Sequence, residues 1–404
     1  MCRNTRGCPS DAPASAAGPP SQATTRSSTW MISVGVGLAA VPSILVVVSS
    51  MAGEARMIAM RPMLSTHCLM RSRLLTVLLA IALAVGGCAG QLAPPGPAIE
   101  QPRETDGAFV MRDGMRLPYR TWLPDGEQAD SRASSPWAVM LALHGMNDSR
   151  DAWEYPGPEF AARGIAVFSP DQRGFGDTSV RGSWPGTQAL VDDTREMALL
   201  LRQRYPHARL ILMGESMGAA VLMRLATSPQ PPRADGYVLV APAVWGRAEM
   251  NVFLRTGLWL ASNLMPGLTV TGSVARVTAS DNREAIRRLS QDPLTIHGTR
   301  FDTIKGLVDL MDAALAAAPR FTAPALFLYG GKDELIPDRA TATTWRELPA
   351  DPVRAFYPAG YHLLLRDHER VTPIDDILAW IRNPDVPLPS GADHAAAVWL
   401  ARQD

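Results

Sequence analysis

Cysteine is missing from most of this 404-residue chain. Its four cysteines, Cys2, Cys8, Cys68 and Cys88, all lie at or before position 88. The remainder therefore holds no disulfide, no thiolate metal site and no cysteine nucleophile. A charge of one sign is missing too: 39 Lys and Arg balance 39 Asp and Glu, with no long basic run. That excludes the concentrated basic face that nucleic-acid phosphates require. Charged residues are only 19% against 47% hydrophobic, a balance that excludes wholesale disorder. The length suffices for one large domain or two ordinary ones with a substantial core.

Two apolar runs stand near the front. Trp30 to Val48 is about long enough to span a bilayer, but Gly35, Gly37 and Pro42 make it a poor helix. The second begins with the basic Met70-Arg-Ser-Arg, continues through apolar Leu74 to Val85, and ends Gly86-Gly87-Cys88. A basic start, a short apolar core and a small-residue exit describe a secretory signal peptide over 70–87. Two transmembrane helices are the alternative, although the second run is short for a span. Val85-Gly86-Gly87-Cys88 resembles a bacterial lipobox, with Gly86 the less usual residue. That resemblance implies that Cys88 is lipidated and heads the mature protein, and Ala89 after it implies outer-membrane sorting. The expected location is then the bacterial cell envelope, lipid-anchored to the outer membrane and facing the periplasm. Residues 1–69 are expected to be a non-native or disordered extension, with Met70 the true start. Residues 88–105, with Pro94, Pro95, Pro97 and Pro102, are expected to form a tether.

From about Ala108, short β-rich apolar runs alternate with amphipathic stretches, the pattern of a mostly parallel sheet covered by helices. Phe109–Met111 and Leu117–Trp122 suggest a hairpin turned at Asp113-Gly114. Strands are expected at Ala138–Leu143, Ile165–Ser169, Arg209–Met213, Gly236–Val240, Ala325–Tyr329 and Val353–Tyr357. Helices are expected at Gln188–Arg204 and Ala219–Thr227.

Between the strand at Arg209 and the helix at Ala219 stands Gly214-Glu215-Ser216-Met217-Gly218. Gly-x-Ser-x-Gly in a strand–turn–helix setting is a nucleophile elbow. The tight turn strains the serine, and the flanking glycines prevent clashes. Ser216 is thereby presented at a helix N-terminus, whose N–H groups favour negative charge.

A serine hydroxyl needs a base. His362 follows the last strand in Pro358-Ala359-Gly360-Tyr361-His362, where a parallel sheet delivers a base to the same edge as Ser216. His368 is the rival and is expected to start the terminal helix. His144 sits in an earlier loop suited to shaping an oxyanion site, and His207, His297 and His394 lie elsewhere. In this chain order the acid falls between serine and histidine, and Asp333 occupies that place, with Glu334 the neighbouring rival.

His144-Gly145-Met146, Asp171-x-Arg173-Gly174-x-Gly176, the elbow, Gly331-x-Asp333 and Gly360-x-His362-x-Leu364-Leu365 together resemble the monoacylglycerol lipase and lysophospholipase family, often called serine aminopeptidase-like. The resemblance covers about Phe109 to Ile381. It implies an α/β-hydrolase fold, a mostly parallel eight-stranded sheet with helices on both faces and a helical cap insertion. The core would comprise 106–242 and 321–383, the cap 243–320, and a tail 384–404. It also implies a Ser216–Asp333–His362 triad and an oxyanion hole made by the backbone N–H groups of Met146 and Met217. Ala219, where many members have a third glycine, and Thr178, where serine is common, are departures outside the triad. Arg173 is expected to be a structural ion-pair residue.

The insertion carries Val252-Phe253-Leu254, Leu258-Trp259-Leu260 and Leu264-Met265-Pro266, besides Gln291-Asp292-Pro293-Leu294. As a group these apolar residues suit an acyl chain or a membrane surface better than a peptide. The expected chemistry is ester hydrolysis through an acyl-enzyme with neither metal nor cofactor, on a lipophilic ester such as a monoacylglycerol or lysophospholipid. An aminopeptidase or amidase would use the same triad with cap carboxylates to hold an amine, the options being Glu249, Asp281 and Glu284. Dehalogenases and epoxide hydrolases are disfavoured because they place Asp where Ser216 stands. A non-catalytic binding lipoprotein would be expected to lack part of the triad. The sequence carries no signal for an oligomeric state.

Overall fold

The computed structural model describes residues 92–124, 136–271 and 277–403. The expected extension, signal peptide and lipidated Cys88 lie outside the described residues, as does the run from Trp30 to Val48.

The strands are β1 (Arg103–Thr105), β2 (Ala108–Val110), β3 (Arg116–Trp122) and β4 (Ala138–Leu143). Helix α1 (Pro156–Ala161), β5 (Ile165–Pro170), α2 (Thr187–Arg204), β6 (Arg209–Glu215), α3 (Met217–Ala226) and β7 (Gly236–Val240) follow. The insertion contributes α4 (Val252–Leu264), β8 (Thr269–Thr271), α5 (Arg283–Gln291), β9 (Gly298–Arg300) and α6 (Phe301–Leu315). The chain then closes with β10 (Ala325–Gly330), α7 (Asp338–Glu347), β11 (Val353–Tyr357), α8 (Val371–Arg382) and α9 (Ala392–Ala401).

Nine strands form one sheet in the order β1-β2-β3-β5-β4-β6-β7-β10-β11. Pairing is antiparallel from β1 to β5 and parallel from there on. The central strands are buried on both faces, so they read as unbroken apolar runs without polar alternation. Period-two geometry then divides their side chains between two cores. Val139, Leu141 and Leu143 of β4 join the cluster under α2 and α3, whereas Ala138, Met140 and Ala142 join the cluster under α1 and α8.

Four expectations are corrected. The sheet has nine strands, not eight, because β1 pairs with β2 from within the stretch expected to be a tether. That stretch is bonded to the body even earlier: Ala93 N–H donates to the Trp184 carbonyl at 3.0 Å and Ile99 N–H to that of Arg112 at 2.8 Å. The expected tail contains α9, whose Trp399 ring stacks on Phe356 of β11 at 4.9 Å and 17°. An alanine-rich segment of about three turns carries too weak an apolar period to announce itself. The last core helix starts at Val371 rather than His368, whose N–H donates to Asp281 at 2.9 Å.

The insertion between β7 and β10 forms a cap that is helical apart from the short antiparallel pair β8–β9, and its α6 packs across α3. Gly306 of α6 rests on the Trp184 ring so closely that a Cβ there would come within 2.5 Å of it. Helix α4 has no buried residue, and its Phe253 and Trp259 are 84% and 62% exposed. Among the described residues no helix is long and apolar enough to cross a membrane.

Candidate active site

The parallel strands deliver four loops to one edge of the sheet, at their carboxyl ends. Strand β4 ends in His144–Asp148, β6 in Ser216, β10 in Asp333 and β11 in His362.

Ser216 sits at φ 53° and ψ −111°, a conformation that costs a non-glycine residue about 1–3 kcal/mol. Its surroundings hold it there. The Ser216 N–H donates to the Val240 carbonyl at 2.9 Å, and its own carbonyl accepts from Ala220 and Ala243 at 3.1 and 3.0 Å. The motif glycines are dictated by contact: a Cβ on Gly214 would meet the Gly218 carbonyl carbon at 2.5 Å, and one on Gly218 would meet the Leu143 carbonyl oxygen at 2.5 Å. β6, α3 and β4 can approach this closely only without those side chains.

Asp333 and His362 meet. The Nδ1 of His362 lies 2.7 Å from Oδ2 of Asp333, with both side chains shut off from solvent. A carboxylate only accepts, so Nδ1 carries the proton and Nε2 is left with a free lone pair. The other Asp333 oxygen accepts from the N–H groups of Leu335 and Ile336 at 2.8 and 2.9 Å, fixing the carboxylate plane. The rival Glu334 is turned to the cap joint, accepting from Thr278 N–H at 2.7 Å. Burial opposes a charged imidazole at His362, but the Asp333 carboxylate outweighs it by charge and hydrogen bond, raising the pKa above the ordinary 6.5.

Among the described residues, neither the Met146 N–H nor the Met217 N–H donates to a protein acceptor. The Met146 loop is braced from beneath by His144, which is fully buried. Its Nε2 accepts from Gln172 N–H at 3.0 Å, so Nδ1 bears the proton and donates to the Gly145 carbonyl at 2.7 Å. Burial pushes the His144 pKa down, keeping it neutral. The Gln172 side chain adds a bond to the His144 carbonyl at 2.7 Å. The next residue, Arg173, is an ion-pair residue as expected, holding Asp193 of α2 and Asp113 of the opening turn at 2.7 Å each. Asp171 accepts from the N–H groups of Arg150 and Asp177. His207, His297, His368 and His394 are all exposed.

Ser216, His362 and Met146 line one cavity of about 200 Å³, together with Ala279, Leu289, Leu335 and Leu363. The cap closes its rim: Ile296 N–H donates to the Asn147 carbonyl at 2.8 Å, and Leu363 N–H to that of Ala279 at 2.9 Å. Asn147 itself is left-handed, at φ 64°. Sequence reasoning missed two polar residues on this wall, Asp148 and Glu215. Both are paired with Arg366, a partner so remote in the chain that no local signal announces it.

A family model described as serine aminopeptidase, S33, matches residues 134–369, which embrace every loop of this site. The chain belongs to that family. Its curated relatives include the monoacylglycerol lipase of Mycolicibacterium smegmatis, 25% identical over 69% of this chain and 96% of that protein. The monoglyceride lipase of Rattus norvegicus is also 25% identical, over 68% of this chain and 89% of its own length. Among solved structures, a soluble variant of the monoglyceride lipase of Saccharomyces cerevisiae, in complex with a substrate analogue, shares the fold. It aligns with a TM-score of 0.56 at 18% identity, covering 72% of this chain and 98% of that one.

A pH dependence follows from the histidine geometry. An imidazole must be neutral to accept a proton, so its raised pKa sets the acidic limb of kcat/KM above the ordinary histidine value of 6.5. Asp333→Asn removes the anion that favours the charged ring, so the limb moves to lower pH. Turnover should also fall by about 10⁴-fold, because the ring loses its orienting acceptor. Glu334→Gln should leave both unchanged. A pH–rate profile of the three proteins checks this.

Proposed function

We propose that this chain is a serine hydrolase that cleaves carboxylic esters through an acyl-enzyme. Ser216 Oγ attacks the carbonyl carbon while Nε2 of His362 takes its proton, and the imidazolium then gives that proton to the departing alcohol oxygen. Water repeats the sequence to release the acid. Asp333 orients the ring, and the N–H groups of Met146 and Met217 hold the oxyanion. The observation that carries this reading is the buried 2.7 Å Asp333–His362 contact opening onto the cavity that Ser216 shares. The reaction needs no metal or organic cofactor.

The favoured substrate is a single-chain glyceride, a lysophospholipid or a similar lipophilic ester, the first in keeping with the names of the relatives. The apolar cavity wall supports an acyl group. Its volume of about 200 Å³ lies below the ~300 Å³ where drug-sized pockets begin, which suits one chain better than two. The exposed apolar face of α4 suits a lipid surface. Against a peptidase, the cap carboxylates that would hold a substrate amine are engaged elsewhere. Glu249 pairs with Arg339, Glu284 with Arg287, and Asp281 takes the His368 N–H. None of the three lines the Ser216 cavity.

We propose further that Cys88 is lipidated and tethers the enzyme to the bacterial outer membrane, facing the periplasm, where such substrates lie. The Val85-Gly86-Gly87-Cys88 sequence supports this.

Assays of the 89–404 protein on 4-nitrophenyl esters of graded length, a monoacylglycerol and an aminoacyl anilide test the chemistry. Ester turnover should be lost by about a million-fold in Ser216→Ala, with the anilide untouched. Anilide turnover would make the enzyme a peptidase instead. For the anchor, the full chain expressed in a Gram-negative host should incorporate labelled palmitate and sediment with membranes. Cys88→Ser should do neither; label or sedimentation that persists in it would refute the anchor.

A further inference from the structure

At the wall of the cavity lies a buried ionic group outside the proposed triad. The Arg366 guanidinium is 4% exposed and contacts two carboxylates, Asp148 at 6% and Glu215 at 2%. Its Nη2 bonds Oδ2 of Asp148 and lies 3.1 Å from Oε1 of Glu215. Each member belongs to a different loop of the site. Asp148 follows Met146 on the β4 loop, Glu215 directly precedes Ser216, and Arg366 sits one turn after His362. The Arg366 carbonyl also accepts from Asn282, whose side chain caps α5 of the lid.

We propose that Arg366 is a positioning residue, its guanidinium fixing the oxyanion loop, the nucleophile elbow and the histidine loop in one register. This rests on the serine-hydrolase reading above. Enclosing three charges is costly, and hydrophobic residues of similar size would often stabilise a core equally well. A single guanidinium nitrogen, Nη2, bridging two carboxylates provides what they cannot, a direct link between the backbone segments that carry them. The three segments carry groups that must converge on one carbonyl, and a misplacement of ~1 Å there costs about 10²-fold in rate.

The charge balance acts on the base as well. Glu215 and Arg366 both act on the His362 ring by charge, in opposite senses. The charged groups about that ring are Asp333 from the β10 loop, Glu215 from the elbow and Arg366 from its own loop, and Glu215 favours the imidazolium. Burial pushes the Glu215 carboxyl above its ordinary value, and the Arg366 guanidinium offsets only part of that rise.

The test compares wild type, Arg366→Lys and Glu215→Gln on a 4-nitrophenyl ester, with active sites counted by the nitrophenol burst and folding followed by thermal melting. Arg366→Lys keeps the charge but, on a shorter side chain, cannot set its nitrogen where Nη2 bridges the two carboxylates, so kcat per active site should fall about 10- to 100-fold with KM little changed. Glu215→Gln keeps the size and an acceptor, so it folds even if the lysine variant does not. Its acidic limb should lie at lower pH than that of wild type. A residue that merely stabilises the fold would lower the melting temperature and the number of active sites, leaving kcat per site and the pH limb unchanged; that result overturns the proposal while the serine-hydrolase reading stands. Absence of Ser216-dependent turnover in the wild type would instead overturn that reading, and this proposal with it.

Discussion

The close crossing of backbones at Ser216 is the constraint on which the rest of the site depends. At Gly214 and Gly218 the end of β6, the start of α3 and the end of β4 stand nearer than any side chain allows. That crossing forces Ser216 to positive φ and sets it at the first turn of α3. The surrounding structure exists to keep it there. Buried strands on both sides supply the rigidity, and hydrogen bonds from Ser216 to β7 and the segment after it lock the turn. A strained residue persists only where its neighbours over-determine it.

The other site groups are placed by the same geometry. Parallel strands end along one edge, so loops far apart in sequence arrive together without any of them being long. The Asp333–His362 contact spans the ends of neighbouring strands β10 and β11. The cap then closes over that edge, bonded to its rim at Asn147 and Leu363. Its α4 keeps an apolar face outward, a face that an ordinary soluble core would have buried.

Much of this is legible in the sequence for physical reasons. Strands buried on both faces leave unbroken apolar runs such as Ala138–Leu143, and loops at their ends mark the residues that can reach a common site. Ser216, Asp333 and His362 stand in such loops, where the Gly-x-Ser-x-Gly turn marks the first and chain order points to the other two. Other features leave no local mark. β1 is three residues long and owes its existence to β2. α9 is held by the stacking of Trp399 on Phe356 rather than by its own periodicity. The pairing of Arg366 with Asp148 and Glu215 joins residues 218 and 151 positions apart, a separation that no window of sequence registers.

The central claim is that Ser216 is a nucleophile activated by His362. Reaction of the folded protein with a fluorophosphonate, followed by mass spectrometry of its peptides, tests it most directly, because fluoride leaves only when an activated oxygen attacks phosphorus. The account predicts one adduct, on Ser216, with labelling greatly slowed in His362→Ala. A protein that stays unlabelled, or carries the adduct elsewhere, would contradict it.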